Sequence, residues 1–507
     1  MDLVYSWAFF ATLCIIAVTI PGLRKYFVMK YKLRHLTGPR GLPLLGNLLQ
    51  FGKDNISFMK QLSVWAEEFR ESGYYLLYFG TKPVLMIYNA NDVEIILRDT
   101  QIDRKNFLYY FNEAWLGNGL LLSEGPKWVS RRKLLTPSFH FSMLENFVEV
   151  MNCHAKHLSD KLCGLVEEPK VELLELLSLC SLDILNECMM GRKLGAQQGE
   201  GKGYVEAVHR IGGIFTKRFQ CPWLWNETLF GWSTLGKEQA RVLETLHKTT
   251  KKVFQDRKLE LQSESKSLII DDKSQEVRKR RRLAFLDLLI AAQRQDNTLP
   301  DEGILEEVDT FMFEGHDTVS SSTTIAMYLI GKHPEIQRKL QEELDEVFGN
   351  DRDRPVTMED LKKLDYLSCV MKEGQRLLTT VPYIGRELVN DISVCGTVIP
   401  KDTAVFLGLY WLHRDTHHFT DPEKFDPDRF LPANSKELHH FAYVPFSAGH
   451  RNCIGQKFAI MEQKVIMATV LRKISLTSLQ TIEELKLANE LVLRPTNGVY
   501  VKLTLRQ

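Results

Sequence analysis

One cysteine set between two glycines constrains this 507-residue chain more than any other feature. It lies in Phe446-Ser447-Ala448-Gly449-His450-Arg451-Asn452-Cys453-Ile454-Gly455, directly ahead of an apolar-periodic stretch, 456–473, that reads as a helix. A helix N-terminus offers unpaired backbone N–H groups and a partial positive charge, and both stabilise a thiolate. Gly449 and Gly455 remove Cβ atoms that would hold a flat ligand off the backbone. Arg451, two residues before the cysteine, is placed to meet an anionic group on such a ligand. The loop suits a single thiolate beneath a metal macrocycle, and haem iron accepts that ligand. A structural cysteine in a glycine turn is the alternative, and for an isolated Cys-x-Gly it is the commoner case.

Here the glycine is not isolated. Phe446, Gly449, Arg451, Cys453 and Gly455 fill five specified positions in ten residues, a spacing that resembles the signature of the haem-thiolate monooxygenases, the cytochromes P-450. The resemblance implies haem b as cofactor, Cys453 as the axial iron ligand, and Phe446, Arg451 and Gly455 as further haem contacts.

The rest of the chain is compatible with one catalytic body. Length alone would suggest about three domains, yet no Gly/Ser-rich linker, Pro-rich linker or internal repeat divides it. A net charge of +1 argues against a nucleic-acid partner. The nine cysteines include no Cys-x-x-Cys pair and no zinc-type cluster, so they read as reduced thiols in a body facing the cytosol.

Leu3 to Ile20 is uncharged and apolar, and as a helix it would rise about 27 Å, nearly a bilayer core. Arg24, Lys25, Lys30, Lys32 and Arg34 follow, so the positive-inside rule keeps the body cytoplasmic and sends the N-terminus to the lumen. The n-region and cleavage site of a signal peptide are not convincing. The expected plan is a membrane anchor at 1–22, a basic, proline-rich hinge at 23–50 and the catalytic domain at 51–507. Tyr74–Phe79 and Val84–Tyr88 flank a turn and read as a β-hairpin. A further strand-rich patch is expected near Gly385–Phe406, and most of the remainder reads as helices. The fold class is mainly α with small β-sheets. Glu260 to Arg282, the most polar stretch, reads as a solvated loop between helices.

Residues 306–331 form a long helical pattern that breaks local rules in its middle. Gly315 and the hydroxyl run Thr318, Ser320, Ser321, Ser322, Thr323 and Thr324 lower helix propensity where a buried helix should be strongest. Glu314, Asp317 and Thr318 share one face at spacings of three and four. Gly315 is expected to open the helix and make room for a small ligand. An acid beside a hydroxyl at such a gap can relay protons. Gly315-His316-Asp317-Thr318 matches the oxygen-activation motif Gly-x-Asp-Thr of the resembling family, which implies proton delivery by Asp317 and Thr318. Phe313-Glu314-Gly315-His316-Asp317-Thr318 looks like the fatty-acid ω-hydroxylase branch, family four, in which this glutamate forms an ester with a haem methyl group. That carries Glu314 over as a covalent haem attachment.

Glu373 and Arg376 stand one turn apart among apolar neighbours. Buried, such a pair needs further partners, and Arg429 in Pro427-Asp428-Arg429-Phe430 could supply one. Glu-x-x-Arg with Pro-x-Arg-Phe resembles the structural triad of the family. Where the branch usually continues Leu-Arg-Leu-x-Pro, this chain has Gln375 and Thr379-Thr380. Trp128 and Arg132, also one turn apart, present an N–H and a guanidinium that suit a carboxylate. Trp-x-x-x-Arg is a family motif for a haem propionate, and Arg386 sits where a further propionate arginine often lies. Lys127, Arg131 and Lys133 are expected to attract an acidic partner.

These resemblances imply a monooxygenase in the endoplasmic reticulum membrane, taking electrons from NADPH through a reductase, with cytochrome b5 as a further partner. Lipophilic substrates are implied, with fatty acids first and hormones or foreign compounds as alternatives. A haem-thiolate isomerase would have little use for Asp317 and Thr318, and a haem sensor little use for a proton relay. Substrate contacts are expected near Phe107–Trp115 and Gly212–Trp232.

Overall fold

The computed structural model describes residues 21–52, 54–268, 284–296 and 299–506. The apolar stretch expected as an anchor lies outside these, apart from its last two residues. So do the basic residues 278–282. Among the described residues no helix is long and apolar enough to cross a membrane.

Helices supply most of the body. Those that position the site are α1 (Gly125–Leu135), α2 (Phe141–Cys163), α3 (Leu173–Leu185), α4 (Lys202–Gln220), α5 (Thr234–Leu268), α6 (Asp301–Lys332), α7 (Asp365–Leu377) and α8 (Gln456–Leu471). The central one is α6, which packs against α3, α7 and α8 and is buried almost throughout its C-terminal half. Its hydroxyl run causes no break because five of its six side chains bond back about one turn, while Ser321 Oγ has no partner among the described residues. Thr318, Thr323 and Thr324 donate to the carbonyls of Glu314, Val319 and Ser320, each at 2.7 Å. Helix-internal pairing of this kind lets hydroxyls sit in a core without unsatisfied groups. Ser320 also meets Ser178 on α3 at 3.3 Å, and Gln463 on α8 donates to Ser322.

The expectation that Gly315 opens the helix is corrected: α6 runs unbroken from Asp301 to Lys332. Glycine is needed there for a neighbour. A Cβ on Gly315 would lie 2.5 Å from Leu185 Cδ1, so it permits close approach of α3. The polar loop expected from Glu260 is also partly helical, since α5 continues to Leu268.

Strands β1 (Tyr74–Phe79) and β2 (Lys82–Ile87) form the expected hairpin, Tyr74 opposite Ile87 and Phe79 opposite Lys82. Gly80 turns it at φ +61°. The sheet continues with β3 (Ile384–Glu387) and β4 (Ala404–Leu407) in the order β1-β2-β4-β3, with β2 and β4 parallel. Two later strands, β5 (Leu487–Glu490) and β6 (Val492–Pro495), form a separate hairpin beside α4 and α6. Residues 21–32 are helical, and the segment after them is docked, with the Leu76 amide donating to the Thr37 carbonyl at 2.8 Å.

Glu373 and Arg376 are fully buried and joined by two hydrogen bonds of 2.8 and 2.7 Å. Arg429 Nε and the Asp426 amide donate to the same carboxylate at 3.3 and 2.9 Å. Arg376 also donates to the carbonyls of His413 and Lys424. A buried pair is tolerable when its spare lone pairs and protons are used in this way. Thr379, where the sequence departs from the usual pattern, bonds His413 Nδ1 at 3.1 Å, and His413 Nε2 accepts the Val444 amide at 3.0 Å. That fixes the segment leading into the cysteine loop.

Candidate active site

The cysteine loop closes on itself before α8 begins. The Cys453 amide donates to the Phe446 carbonyl at 2.9 Å. The amides of Gly455 and Gln456 point at the sulfur, as the start of a helix allows. Burial nevertheless pushes the thiol up to about 11, with Glu314 adding to the rise, while these amides and Arg132 pull the other way. The sulfur is enclosed by protein yet keeps accessible surface, so it faces an internal cavity. Glu314, Gly315 and Thr318 of α6 keep accessible surface too, although their neighbours on the helix are buried. These residues look onto the cavity from the α6 side.

The two loop glycines have different reasons. Gly449 sits at φ +70°, and a Cβ there would drive into the Leu97 carbonyl, so its role lies in the protein's own packing. Gly455 has an ordinary φ of −86°, and its Cβ would come no closer than 3.9 Å to any protein atom. Room above Gly455 is what a flat ligand on the sulfur side requires.

Cations gather at one edge. Arg386, on β3, and Lys105 are buried, and Arg451 is partly buried. Among the described residues Arg386 donates only to the neighbouring Gly385 carbonyl, and Arg451 to the carbonyls of Ser123 and Leu121 at 3.0 and 3.3 Å. Lys105 lies over the Tyr109 ring at 4.7 Å. Among the described residues none of the three has a carboxylate within ion-pair distance. Burial depresses Arg451 to about 10 and lowers Lys105 and Arg386, and Arg386 opposes both of the others. Three mutually repelling cations, two buried and one partly buried, specify an anionic ligand. Lys105 was missed in the sequence because Arg104-Lys105-Asn106 has the look of a solvated charge run.

Trp128 is buried beneath Arg451, whose guanidinium carbon is 4.6 Å from the ring centroid. Arg132 turns toward the cysteine loop and donates to the Asn452 carbonyl and side chain at 2.9 and 2.8 Å. Lys127 and Arg131 do not form the expected free basic surface. Lys127 pairs with Glu306 at 2.8 Å, and Arg131 lies 3.9 Å from Glu307. Lys133 alone of the three stays exposed. Glu306 and Glu307 also accept the amides of Asn118 and Leu120 at 3.1 and 3.0 Å. Residues 117–123 are therefore held by α6 on one side and by Arg451 on the other.

Thr318 faces the cavity, but the Asp317 carboxylate does not. It is fully buried on the side of α6 toward α4 and β6, where Arg494 donates to it at 2.7 Å. Burial raises Glu314 to about 7, against the nearby Lys105 and Arg451.

A thiolate-forming cysteine under backbone amides, open space over Gly455 and an anion-seeking edge of cations fit haem in donor chemistry. Comparison with known proteins agrees with that geometry. Residues 36–503 match the family described as Cytochrome P450. Cytochrome P450 4V2 of Mus musculus is 45% identical over 468 residues, covering 92% of this chain and 89% of the relative. The chain belongs to the cytochrome P450 family, in its family-four branch. Cytochrome P450 4c3 of Drosophila melanogaster is 39% identical, with 97% and 93% of the two chains covered. Cytochrome P450 4c21 of Blattella germanica is 36% identical, with 94% of each covered. This P450 is thus a monooxygenase, with haem, O2, a lipophilic substrate and NADPH-derived electrons arriving through a reductase.

Proposed function

We propose that this P450 hydroxylates the terminal carbon of fatty acids or related lipids. Bound haem supplies activation of O2 and insertion of one oxygen atom into a C–H bond. The chain supplies the rest. Cys453 would ligate the iron, with the Gly455 and Gln456 amides holding its sulfur, and Trp128, Arg132, Arg386, Arg451 and Lys105 would hold the propionate edge. Phe446 and Gly455 shape the sulfur-side face. Thr318 holds a proton-bearing hydroxyl toward the cavity and Asp317 recharges it from behind α6.

The observation that carries the substrate class is Glu314. Glu314 keeps accessible surface on the cavity side of α6, raises the Cys453 thiol, and is itself favoured in its charged form by Lys105 and Arg451. A glutamate there suits an ester to the haem. A haem fixed in this way moves less, which favours a terminal methyl over weaker internal C–H bonds. The two expected substrate segments meet through aromatic rings, with Phe107 and Phe111 at 5.3 and 6.1 Å from Trp225 and Phe111 at 6.4 Å from Phe215.

An endoplasmic reticulum membrane location belongs to the same proposal, and exposed apolar groups support it. Phe27, Tyr31, Leu49, Trp223 and Trp232 are each 60% or more exposed. Their segments pack around one end of the β1–β2 hairpin through Tyr26–Tyr78, Phe51–Phe79 and Phe219–Phe79 contacts. Such a concentration of exposed apolar groups suits a lipid surface. Cytochrome b5 is proposed as an additional electron donor alongside the reductase.

Reconstitution with reductase, NADPH and fatty acids of graded chain length tests the reading. Terminal hydroxylation is expected. An intact carbon monoxide spectrum of the thiolate type without any lipid product overturns the substrate class. Glu314→Ala should leave haem extractable by acidified solvent, and a haem that still resists extraction overturns the ester.

A further inference from the structure

The side of α6 turned away from the cavity carries a second polar feature. The Asp317 carboxylate is fully buried, with Arg494 NH2 on Oδ2 at 2.7 Å and His209 Nε2 3.7 Å from Oδ1. His209 lies on α4 and keeps 30% of its side chain accessible. The cluster is polar beyond these contacts. Among the described residues His316 Nε2, Tyr204 Oη, Asp317 Oδ1, His209 Nε2, and Nε and Nη1 of Arg494 have no hydrogen-bond partner. The Tyr204 and His316 rings are 5.7 Å apart.

Buried polar atoms in folded proteins are nearly all paired, and several unpaired ones along one helix contact mark a seam built to take water. The surrounding groups restrict what can move along it. Arg494 is an immobile proton store, because a guanidinium does not deprotonate in a protein. His316 uses Nδ1 on the Met312 carbonyl. Among the described residues around Asp317, His209 is the one that joins a nitrogen facing the carboxylate to accessible surface, and burial together with Arg494 keeps its imidazole neutral.

We propose that His209 is the solvent-side proton port of Asp317, a positioning and relay residue for the monooxygenase reaction. In the step, one imidazole nitrogen takes a proton from solvent as Nε2–H gives its proton to Asp317 Oδ1. The N–H bond at Nε2 breaks and an O–H bond forms. The imidazole stays neutral, Asp317 gains one proton for Thr318, and no electrons move. A gap of 3.7 Å is too long for a hydrogen bond, so transfer needs a small side-chain rotation or one bridging water. Arg494 holds Oδ2 and leaves Oδ1 as the receiving atom. The inference rests on Asp317 as the donor behind Thr318.

The test uses the full-length holoenzyme with reductase and NADPH, carrying His209→Gln or His209→Ala. Both variants should keep the carbon monoxide spectrum and the substrate-induced spectral shift. Product formed per NADPH should fall by up to roughly 100-fold, the lower end for general acid–base groups, with peroxide rising in its place. Added imidazole should restore coupling in His209→Ala but not in His209→Gln. In the resting protein, without turnover, deuterium exchange of the Arg494 guanidinium should slow in both variants. Unchanged coupling and exchange in both overturns the port. Loss of coupling that imidazole fails to restore, with unaltered exchange, overturns it in favour of a packing role. Asp317→Asn run alongside separates the failures, because full coupling there removes the donor on which the port depends.

Discussion

Leu185 Cδ1 lies 2.5 Å from the point where Gly315 would carry a Cβ, so the glycine of the oxygen-side motif is set by its contact with α3. Gly315→Ala should destabilise the fold by about 1–3 kcal/mol through overpacking. The obstructing atom is the end of a flexible side chain, so Leu185→Val in the same protein should recover part of the loss. Thermal midpoints of the two single variants and the double variant check this. Additive losses would place the cost of the alanine elsewhere.

Lys105 provides a different balance. Removing a buried, unpaired cation relieves the polypeptide, yet it weakens the site for a dianionic edge. Lys105→Met should therefore leave the haem-free protein as stable as before or more so, while haem dissociates about tenfold faster, a difference of about 1.4 kcal/mol. Haem transfer to an acceptor apoprotein measures the rate. Unaltered transfer would remove Lys105 from the propionate edge.

Glu373→Ala strands Arg376 fully buried and takes a partner from Arg429. Breaking a buried pair on one side costs about 3–5 kcal/mol. Yield of holoprotein with a thiolate-type carbon monoxide spectrum should collapse, whereas Glu373→Gln, which still accepts hydrogen bonds, should retain more.

Glu462 on α8 is buried, accepts Ser181 Oγ at 2.6 Å, and is raised by burial to about 8 from a usual 4.5. Such a carboxyl binds more protons folded than unfolded. Its contribution to stability is complete below pH 4.5 and declines as pH rises toward 8. The slope from one group is at most about 1.4 kcal/mol per pH unit. Glu462→Gln should flatten the fall in thermal midpoint between pH 5.5 and 7.5, and an identical profile would show that Glu462 does not titrate there.

Local pattern made much of this legible in the sequence. The hairpin needed only two short apolar and aromatic runs flanking Gly-Thr-Lys-Pro, and the cysteine loop announced itself by five fixed positions. What stayed hidden depends on burial and on partners distant in the chain. Lys105 has the neighbours of a surface lysine, and only tertiary packing strips it of water. Arg494 meets Asp317 across 177 residues, and nothing near Leu493-Arg494-Pro495 announces a partner. Gly315 breaks helix rules for a reason that propensity does not express, close packing against Leu185 on another helix. Lys127 and Arg131 read as an open basic face because their acids, Glu306 and Glu307, belong to a distant segment.

Those two acids also bear on how the chamber keeps its height. Residues 117–123 form a short strap fastened to α6 through the Asn118 and Leu120 amides and to the cysteine loop through the Leu121 and Ser123 carbonyls. Ceiling and floor are thereby gauged from one rigid spacer only a few residues long.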